Sequence, residues 1–256
     1  MSAATKPTII IIPASFSPLS LYTDVISNLQ SHGYSVEGIE LETVGRREKA
    51  PSMYDDAAVL SSLATKLADE GKDIVLVAHS YGGVVACEGA KGLAQSVREK
   101  EGKHGGIVRI VFVSAVVPGE GQGMLEIFEG VTMDTVPIRV ELKGEYLEMD
   151  TESGARGGYS DMPLEEALSW ASRMREHAAT SYQQKLTYAA YKDIPVSYLF
   201  CEEDKGVIPE AQNKIIAGME SVMGGRTVDR HSVKAGHHIN ASQPGTMAAV
   251  VRKALA

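Results

Sequence analysis

The fold is decided by one stretch of the sequence, Ile74-Val75-Leu76-Val77-Ala78-His79-Ser80-Tyr81-Gly82-Gly83. It begins with a short run of apolar, mostly branched residues, which is typical of a strand buried inside a parallel sheet. The run ends at Ser80, and the two glycines that follow let the chain turn closely into a helix that begins near Val84. A serine between a strand and a helix projects its hydroxyl from the edge of the sheet, at the positive end of the helix. The stretch therefore predicts a reactive serine at position 80.

The motif alone leaves an alternative open. The pattern expected for such a turn is Gly-x-Ser-x-Gly, and here Ala78 occupies its first position and His79 the second. The alternative is an ordinary strand–helix junction in which Ser80 only caps the helix. An acid and a histidine that follow downstream in the required order would favour the reactive serine over the capping serine.

Composition excludes several classes of function. The chain has 256 residues, of which 44% are hydrophobic and 23% charged, as in an ordinary globular domain. Its formal net charge of −8 argues against nucleic-acid or anionic-membrane partners, because phosphates would be repelled. The first apolar run is too short for a signal sequence or a membrane span, so a cytoplasmic protein is expected. Cys87 and Cys201 are expected as reduced, buried thiols.

Strands and helices alternate along most of the chain. Strands are predicted at residues 8–12, 34–41, 74–78, 107–114, 195–201 and 226–233, and helices at residues 19–30, 54–70, 208–223 and 244–256. This alternation indicates βαβ units and a mostly parallel sheet flanked by helices, an α/β fold. The charged segment 95–106 is predicted to be a solvated connection.

The alternation stops between residues 120 and 192. There we expect a largely helical cap, inserted after the strand that follows the nucleophile helix and lying over the strand ends. Its best helices are predicted at Glu165–His177 and Ala179–Tyr191. Residues 1–119 and 193–256 are then the core of the molecule, and residues 120–192 the cap.

The order of three polar positions favours the reactive serine over the capping serine. After Ser80 comes an acidic cluster, Glu202-Glu203-Asp204, at the end of one predicted strand, and then His237-His238 after the next. Loops at the carboxyl ends of parallel strands meet at one edge of a sheet, so these groups are expected to converge. The order serine, acid, histidine is that of the hydrolases built on such a sheet and differs from other serine hydrolase folds.

The sequence resembles the α/β-hydrolase fold family of lipase/esterase type, and within it the branch of plant methyl esterases and hydroxynitrile lyases. The resemblance covers Thr8 to Ala256. The loop from Asp204, with Ile-Pro and then Gln shortly after it, is similar to that branch's acid loop. Gly236-His237, with Pro244 seven residues after the histidine, is similar to its histidine loop. The resemblance therefore implies Ser80 as nucleophile, Asp204 as acid and His237 as base.

The resemblance also implies an oxyanion hole built from two backbone N–H groups. One belongs to Tyr81, and the matching position after the first strand is Ser15, with Phe16 as fallback. The family has His-Gly just before that position, whereas this chain has Pro13-Ala14. This departure leaves the choice between Ser15 and Phe16 open.

Four residues are expected to contact the substrate: Phe16, His79, Trp170 and His238. For Trp170 the alternative is that it only anchors the cap. Hydroxynitrile lyases of this branch need a lysine directly after the catalytic histidine. Here His238 occupies that position, which argues against cyanohydrin cleavage.

The resemblance implies a serine hydrolase that cleaves a carboxylic ester or lactone of a medium-sized hydrophobic small molecule through an acyl-enzyme. No cofactor is expected, and no metal, because His231, His237 and His238 lack carboxylate or thiolate partners at ligand spacing. Two alternatives stay open: non-hydrolytic catalysis by the same triad (lyase chemistry, C–C cleavage or acyl transfer), and a ligand-binding receptor on a hydrolase fold. The expected partner is the small-molecule substrate, and a homodimer is left open.

Overall fold

A computed structural model describes residues 6–131 and 138–255, so the predicted helix end at residue 256 lies outside the described residues. The strands are β1 (Thr8–Ile12), β2 (Ser35–Gly38), β3 (Asp73–His79), β4 (Gly106–Val113), β5 (Val140–Lys143), β6 (Tyr146–Met149), β7 (His177–Ala178), β8 (Val196–Cys201) and β9 (Asp229–Val233). The helices are α1 (Thr23–Ser31), α2 (Met53–Asp69), α3 (Gly82–Gly89), α4 (Gln95–Lys100), α5 (Thr151–Gly158), α6 (Leu164–Ala171), α7 (Pro209–Val222), α8 (Ile239–Ser242) and α9 (Pro244–Ala254). Across the two described ranges, no helix is both long and apolar enough to cross a bilayer.

Six of the strands form the main sheet, in the order β2-β1-β3-β4-β8-β9. Every neighbouring pair is parallel. Strands therefore return to the same edge through helices, and all six carboxyl ends lie on one side of the sheet. The prediction of an α/β fold with a mostly parallel sheet is confirmed.

Both faces of the sheet are buried, which explains why its central strands read as continuous apolar runs. Side chains alternate between faces along a strand, so Ile10 and Leu76 pack on one side with α2 and α3. Ile9 and Val75 pack on the other side with α1 and α9. The strand β3, which leads into the turn at Ser80 (the elbow), is thus held in the middle of the molecule.

The cap segment differs from the expected helices. It contains α5 and α6, but it also holds a second sheet, antiparallel, in the order β5-β6-β7. The helix predicted at Glu165–His177 ends at Ala171, because His177 enters this sheet. No α-helix forms over the described residues 179–191. There the backbone of Leu186 pairs with Gly121 and Gln122, at 2.8 and 2.9 Å, instead of with its own turn.

Two smaller expectations can also be compared with the structure. The connection predicted at residues 95–106 begins with the short helix α4 rather than with irregular chain. Cys87 and Cys201 are free and buried, as predicted. Burial raises the pKa of the Cys87 thiol to about 12, so this thiol stays protonated and unreactive near neutral pH.

Candidate active site

Ser80 lies in the tight turn between β3 and α3. Its φ angle is +53°, a left-handed conformation that costs energy for a residue with a side chain. The turn is closed by hydrogen bonds from Ser80 N to Val113 O at 3.1 Å and from Val116 N to Ser80 O at 2.9 Å. The strained backbone directs the hydroxyl away from the sheet, as the sequence motif predicts.

The two glycines after Ser80 allow the helix to approach the neighbouring strands. A Cβ on Gly82 would lie 2.6 Å from Ile12 O, and one on Gly83 would lie 2.5 Å from Val116 O. Real Cβ atoms do not come this close to backbone oxygens. Glycine is therefore required at both positions if the turn is to form.

The structure brings together the three residues that the sequence singled out. His237 Nε2 lies 3.0 Å from Ser80 Oγ, and His237 Nδ1 lies 2.8 Å from Asp204 Oδ2. The three side chains come from loops that follow β3, β8 and β9, and all are buried. Because the Asp204 carboxylate accepts from Nδ1–H, the other ring nitrogen of His237 is free to accept a proton from the Ser80 hydroxyl.

The Asp204 carboxylate is held by four donors. Oδ1 accepts the backbone N–H groups of Gly206 at 2.6 Å and Val207 at 2.9 Å. Oδ2 accepts the Ser114 hydroxyl in addition to His237. Four donors on a buried carboxylate fix its orientation toward the imidazole.

The sequence analysis did not predict Ser114. It follows β4, the strand between the elbow strand and the acid strand, and its φ angle of +42° marks a second strained turn. Its position at the carboxyl end of a central strand was the available signal, because that edge of a parallel sheet collects functional side chains.

Three backbone N–H groups near Ser80 are free to bind an anion. No acceptor for the N–H of Ser15, Phe16 or Tyr81 occurs among the residues that the structure describes. Phe16 has a φ angle of +62°, and Ser17 N donates to Ala14 O at 3.2 Å, which is the geometry of a type II turn. The turn holds the amides of the first loop in place despite the missing His-Gly pair.

A cavity of about 280 Å³ opens above Ser80 and His237. Apart from Ser80, His237 and His238, its lining is largely apolar. The lining residues are Ala14, Ser15, Phe16, Ser80, Val116, Met124, Leu125, Phe128, Ile138, Val140, Met149, Gly158, Met174, Tyr182, Gly206, Val207, His237 and His238. Of the residues predicted to bind the oxyanion or the substrate, Ser15, Phe16 and His238 line this cavity.

His79 does not line this cavity, in contrast to the prediction. Its side chain is fully buried, and its Nε2 lies 2.9 Å from His237 O, to which it must donate. Its Nδ1 then accepts from the Tyr22 hydroxyl at 2.7 Å, and that hydroxyl accepts from Ala14 N at 2.9 Å. His79 thus connects the elbow, the histidine loop and the first loop, and burial keeps its pKa well below 6.5.

Trp170 also lies outside the cavity lining. Its ring stacks on Tyr159 at 6.3 Å, and the Arg173 guanidinium lies 4.6 Å from its centroid. Both contacts are made within the cap segment, so the position of Trp170 fits the alternative that this residue only anchors the cap.

His238 stacks on Tyr159 at 4.3 Å, beside the cavity. Burial lowers its pKa well below 6.5, and the neighbouring His237 and His79 lower it further. The imidazole is therefore neutral near pH 7, and it differs in charge from the lysine of hydroxynitrile lyases. Among the described residues, no group of three or more His, Cys, Asp or Glu side chains is arranged to hold a metal ion.

Comparison with known proteins agrees with this architecture. The model of the alpha/beta hydrolase family matches residues 9–250. "Probable hydrolase R7" of a Phoma species is 30% identical over 249 residues, covering 96% of this chain and 97% of that protein. "Alpha/beta hydrolase nvfD" of Aspergillus novofumigatus is 26% identical over 250 residues, covering 97% of this chain and 96% of that protein.

A solved structure shares the fold. An extracellular alpha/beta-hydrolase from a Paenibacillus species, described as structurally and functionally homologous to tobacco salicylic acid binding protein 2, superposes with a TM-score of 0.71. The two chains are 22% identical, with 97% of this chain and 99% of the other covered. The chain belongs to the alpha/beta hydrolase family. It is an enzyme of the hydrolase class, as the resemblance implied.

Proposed function

We propose that the protein is a serine hydrolase that cleaves a carboxylic ester or lactone of a medium-sized hydrophobic molecule through an acyl-enzyme. The observation that supports this most directly is the continuous hydrogen-bonded chain from Ser80 through His237 to Asp204. Ser80, at one end of this hydrogen-bonded series, lines a largely apolar cavity, where a substrate carbonyl can approach the hydroxyl.

In the proposed mechanism, His237 Nε2 takes the Ser80 proton as Ser80 Oγ attacks the carbonyl carbon. Asp204 stabilises the imidazolium that forms. The N–H groups of Tyr81 and Ser15 donate to the developing oxyanion, each worth about 10²–10³ in rate. His237 then protonates the leaving alcohol, and a water molecule activated by the same imidazole releases the acid.

The cavity supports the substrate class. A volume of about 280 Å³ suits a small molecule rather than a polymer, and its apolar lining favours a hydrophobic acyl or alcohol part. The homology of the Paenibacillus hydrolase to a salicylic acid binding protein is compatible with a compact aromatic ligand. Carboxylic esters and lactones both present the carbonyl that the triad requires.

The proposal is tested with a chromogenic short-chain ester and a fluorophosphonate probe. We expect the wild type to turn over the ester and to be labelled at Ser80, as located by mass spectrometry of the modified peptide. Ser80→Ala should lose both activities. Ser221→Ala is the matched control, because this exposed hydroxyl lies in α7 and donates to Gly218 O of the same helix.

Two results would argue for the alternatives. A wild type that is labelled at Ser80 but releases no acid from any ester would favour non-hydrolytic use of the triad. A wild type that is neither labelled nor active, yet shows a saturable thermal shift with a ligand that is never consumed, would favour a receptor.

A further inference from the structure

A buried carboxylate that the mechanism above does not use lies beneath the residue after the nucleophile. Asp56, on α2, is fully buried. Its Oδ2 accepts the Tyr81 hydroxyl at 2.8 Å and the Thr43 hydroxyl at 2.7 Å, and its Oδ1 accepts Thr43 N at 3.1 Å. No Lys, Arg or His of the described chain lies within ion-pair distance of it.

A buried carboxylate without a cationic partner lowers the stability of the folded protein. Burial raises the pKa of Asp56 to about 6, and the hydrogen bonds from Thr43 and Tyr81 offset only part of this effect. A neutral or apolar residue would fill the same space with less loss of stability. The position of Asp56 therefore requires an explanation beyond packing.

The contact between Asp56 and Tyr81 provides one. Tyr81 carries the backbone N–H proposed as an oxyanion donor, and its side chain is fully buried. Its ring packs edge-on against His177 at 4.8 Å and lies 6.0 Å from Tyr182. The bond to Asp56 fixes the far end of this side chain, so the residue is held at both its hydroxyl and its backbone.

Asp56 also connects the elbow to the second sheet. The same Thr43 that donates to Asp56 accepts Ala178 N at 2.8 Å, and Val44 forms a bridge with His177. Both partners lie in β7. Asp56 thus links α2, Tyr81 and the strand β7 that packs against the Tyr81 ring.

We propose that Asp56 is a positioning residue for the reaction, which acts through the Tyr81 hydroxyl to hold the Tyr81 N–H at the place where the oxyanion forms. This inference rests on the proposed function. Donors to an oxyanion must be preorganised, since a misplacement of about 1 Å can cost about 100-fold in rate. The carboxylate supplies that preorganisation at the expense of stability.

The test uses Tyr81→Phe and Asp56→Asn, each alone and combined. Both single variants should lower kcat about 10-fold to 100-fold with KM nearly unchanged, because the contact that is lost in Tyr81→Phe and weakened in Asp56→Asn, whose amide has one acceptor oxygen for three donors, matters only once the oxyanion forms. The double variant should lose no more than the worse single one. Tyr191→Phe is the matched control: it removes a buried hydroxyl that donates to Pro118 O at 3.1 Å, and kcat should stay at the wild-type value.

The second readout is the affinity for a trifluoromethyl ketone, which forms a tetrahedral adduct. In this adduct Ser80 Oγ bonds to the carbonyl carbon, its proton passes to His237, and the carbonyl oxygen becomes an oxyanion. The affinity should fall by the same factor as kcat in Tyr81→Phe and Asp56→Asn. Binding of an alcohol product, which carries no oxyanion, should not change.

Stability separates positioning from a merely structural role. We expect Asp56→Asn to be at least as stable as the wild type at pH 8 while being less active, a pairing that a purely structural role does not produce. If Tyr81→Phe and Asp56→Asn retain wild-type kcat and ketone affinity in an active enzyme, the inference fails and the proposed function stands. If the wild type itself neither hydrolyses esters nor reacts with the fluorophosphonate or the ketone, both fail.

Discussion

At the scale of single residues, the Asp204 carboxylate is the most heavily bonded group of the site. We predict that Asp204→Asn lowers kcat by about 10⁴-fold, because an amide cannot accept from all four donors and the imidazole loses its tautomer and orientation. Steady-state kinetics on a chromogenic ester measure this loss. Ser114→Ala removes one of the four donors and should cost far less, so equal losses in the two variants would contradict the assigned roles.

The raised pKa of Asp56 makes stability depend on pH. Its folded pKa of about 6 exceeds the ordinary 3.8, so its stabilising contribution is complete below about pH 4 and is lost as the pH rises through about 6. Asp56→Asn cannot ionise. Its free energy of unfolding should therefore gain on that of the wild type as the pH rises, by up to about 3 kcal/mol above pH 7. Urea denaturation between pH 4 and pH 8 tests this, and a difference that does not change with pH would refute it.

At the scale of secondary-structure elements, the packing of α3 against the sheet depends on its first glycines. Gly82→Ala would place a Cβ 2.6 Å from Ile12 O and 2.8 Å from Pro13 O, so α3 must move and carry the turn at Ser80 with it. We expect loss of fluorophosphonate labelling together with a lower melting temperature. Gly218→Ala is the control, since nothing lies within 4 Å of its added Cβ in α7. That helix should gain about 0.5–1 kcal/mol, and a stable, fully labelled Gly82→Ala protein would disprove the packing argument.

Elements of the core could be predicted from the sequence because the apolar runs that favour a strand locally are also the residues that the fold buries. Strand β1 has the predicted bounds, Thr8–Ile12, since a threonine and four consecutive isoleucines, all β-branched, strongly favour a buried strand. The second sheet could not be predicted in the same way. Its strand β5, Val-Glu-Leu-Lys, alternates apolar and charged residues, but it is only four residues long and exposed throughout, so no buried apolar face marks it as part of a sheet. There, pairing with β6 decides the structure.

The residues of the candidate site show the same difference between local and long-range signals. The convergence of Ser80, Asp204 and His237 could be predicted because the ends of parallel strands meet at one edge, which brings three loops together at once. His79 could not be placed, since a histidine beside the nucleophile is compatible with facing either the cavity or the core. The choice depends on Tyr22, which is 57 residues away in the chain.

At the scale of the whole molecule, the cavity joins the reactive edge of the main sheet to the second sheet. Met149 of β6 lines it, so Met149→Trp should narrow it. We predict that kcat/KM for hexanoate and longer esters falls about 10-fold or more, while acetate esters keep most of their rate. Leu142→Trp on the adjacent strand β5 is the control, because Leu142 is 62% exposed and does not line the cavity. An equal loss for all ester lengths in Met149→Trp would contradict this placement.

Within the described part of the chain, the proposed triad has no second histidine that could serve as its base. The rings of His79 and His238 lie 5.1 and 5.0 Å from that of His237, yet neither can replace it. His79 has both nitrogens occupied by Tyr22 and by a backbone carbonyl, and His238 is stacked on Tyr159. An enzyme that loses the proposed base His237 to a mutation or to alkylation thus has no histidine among its described neighbours to replace it, and imidazole supplied from solution should restore proton transfer.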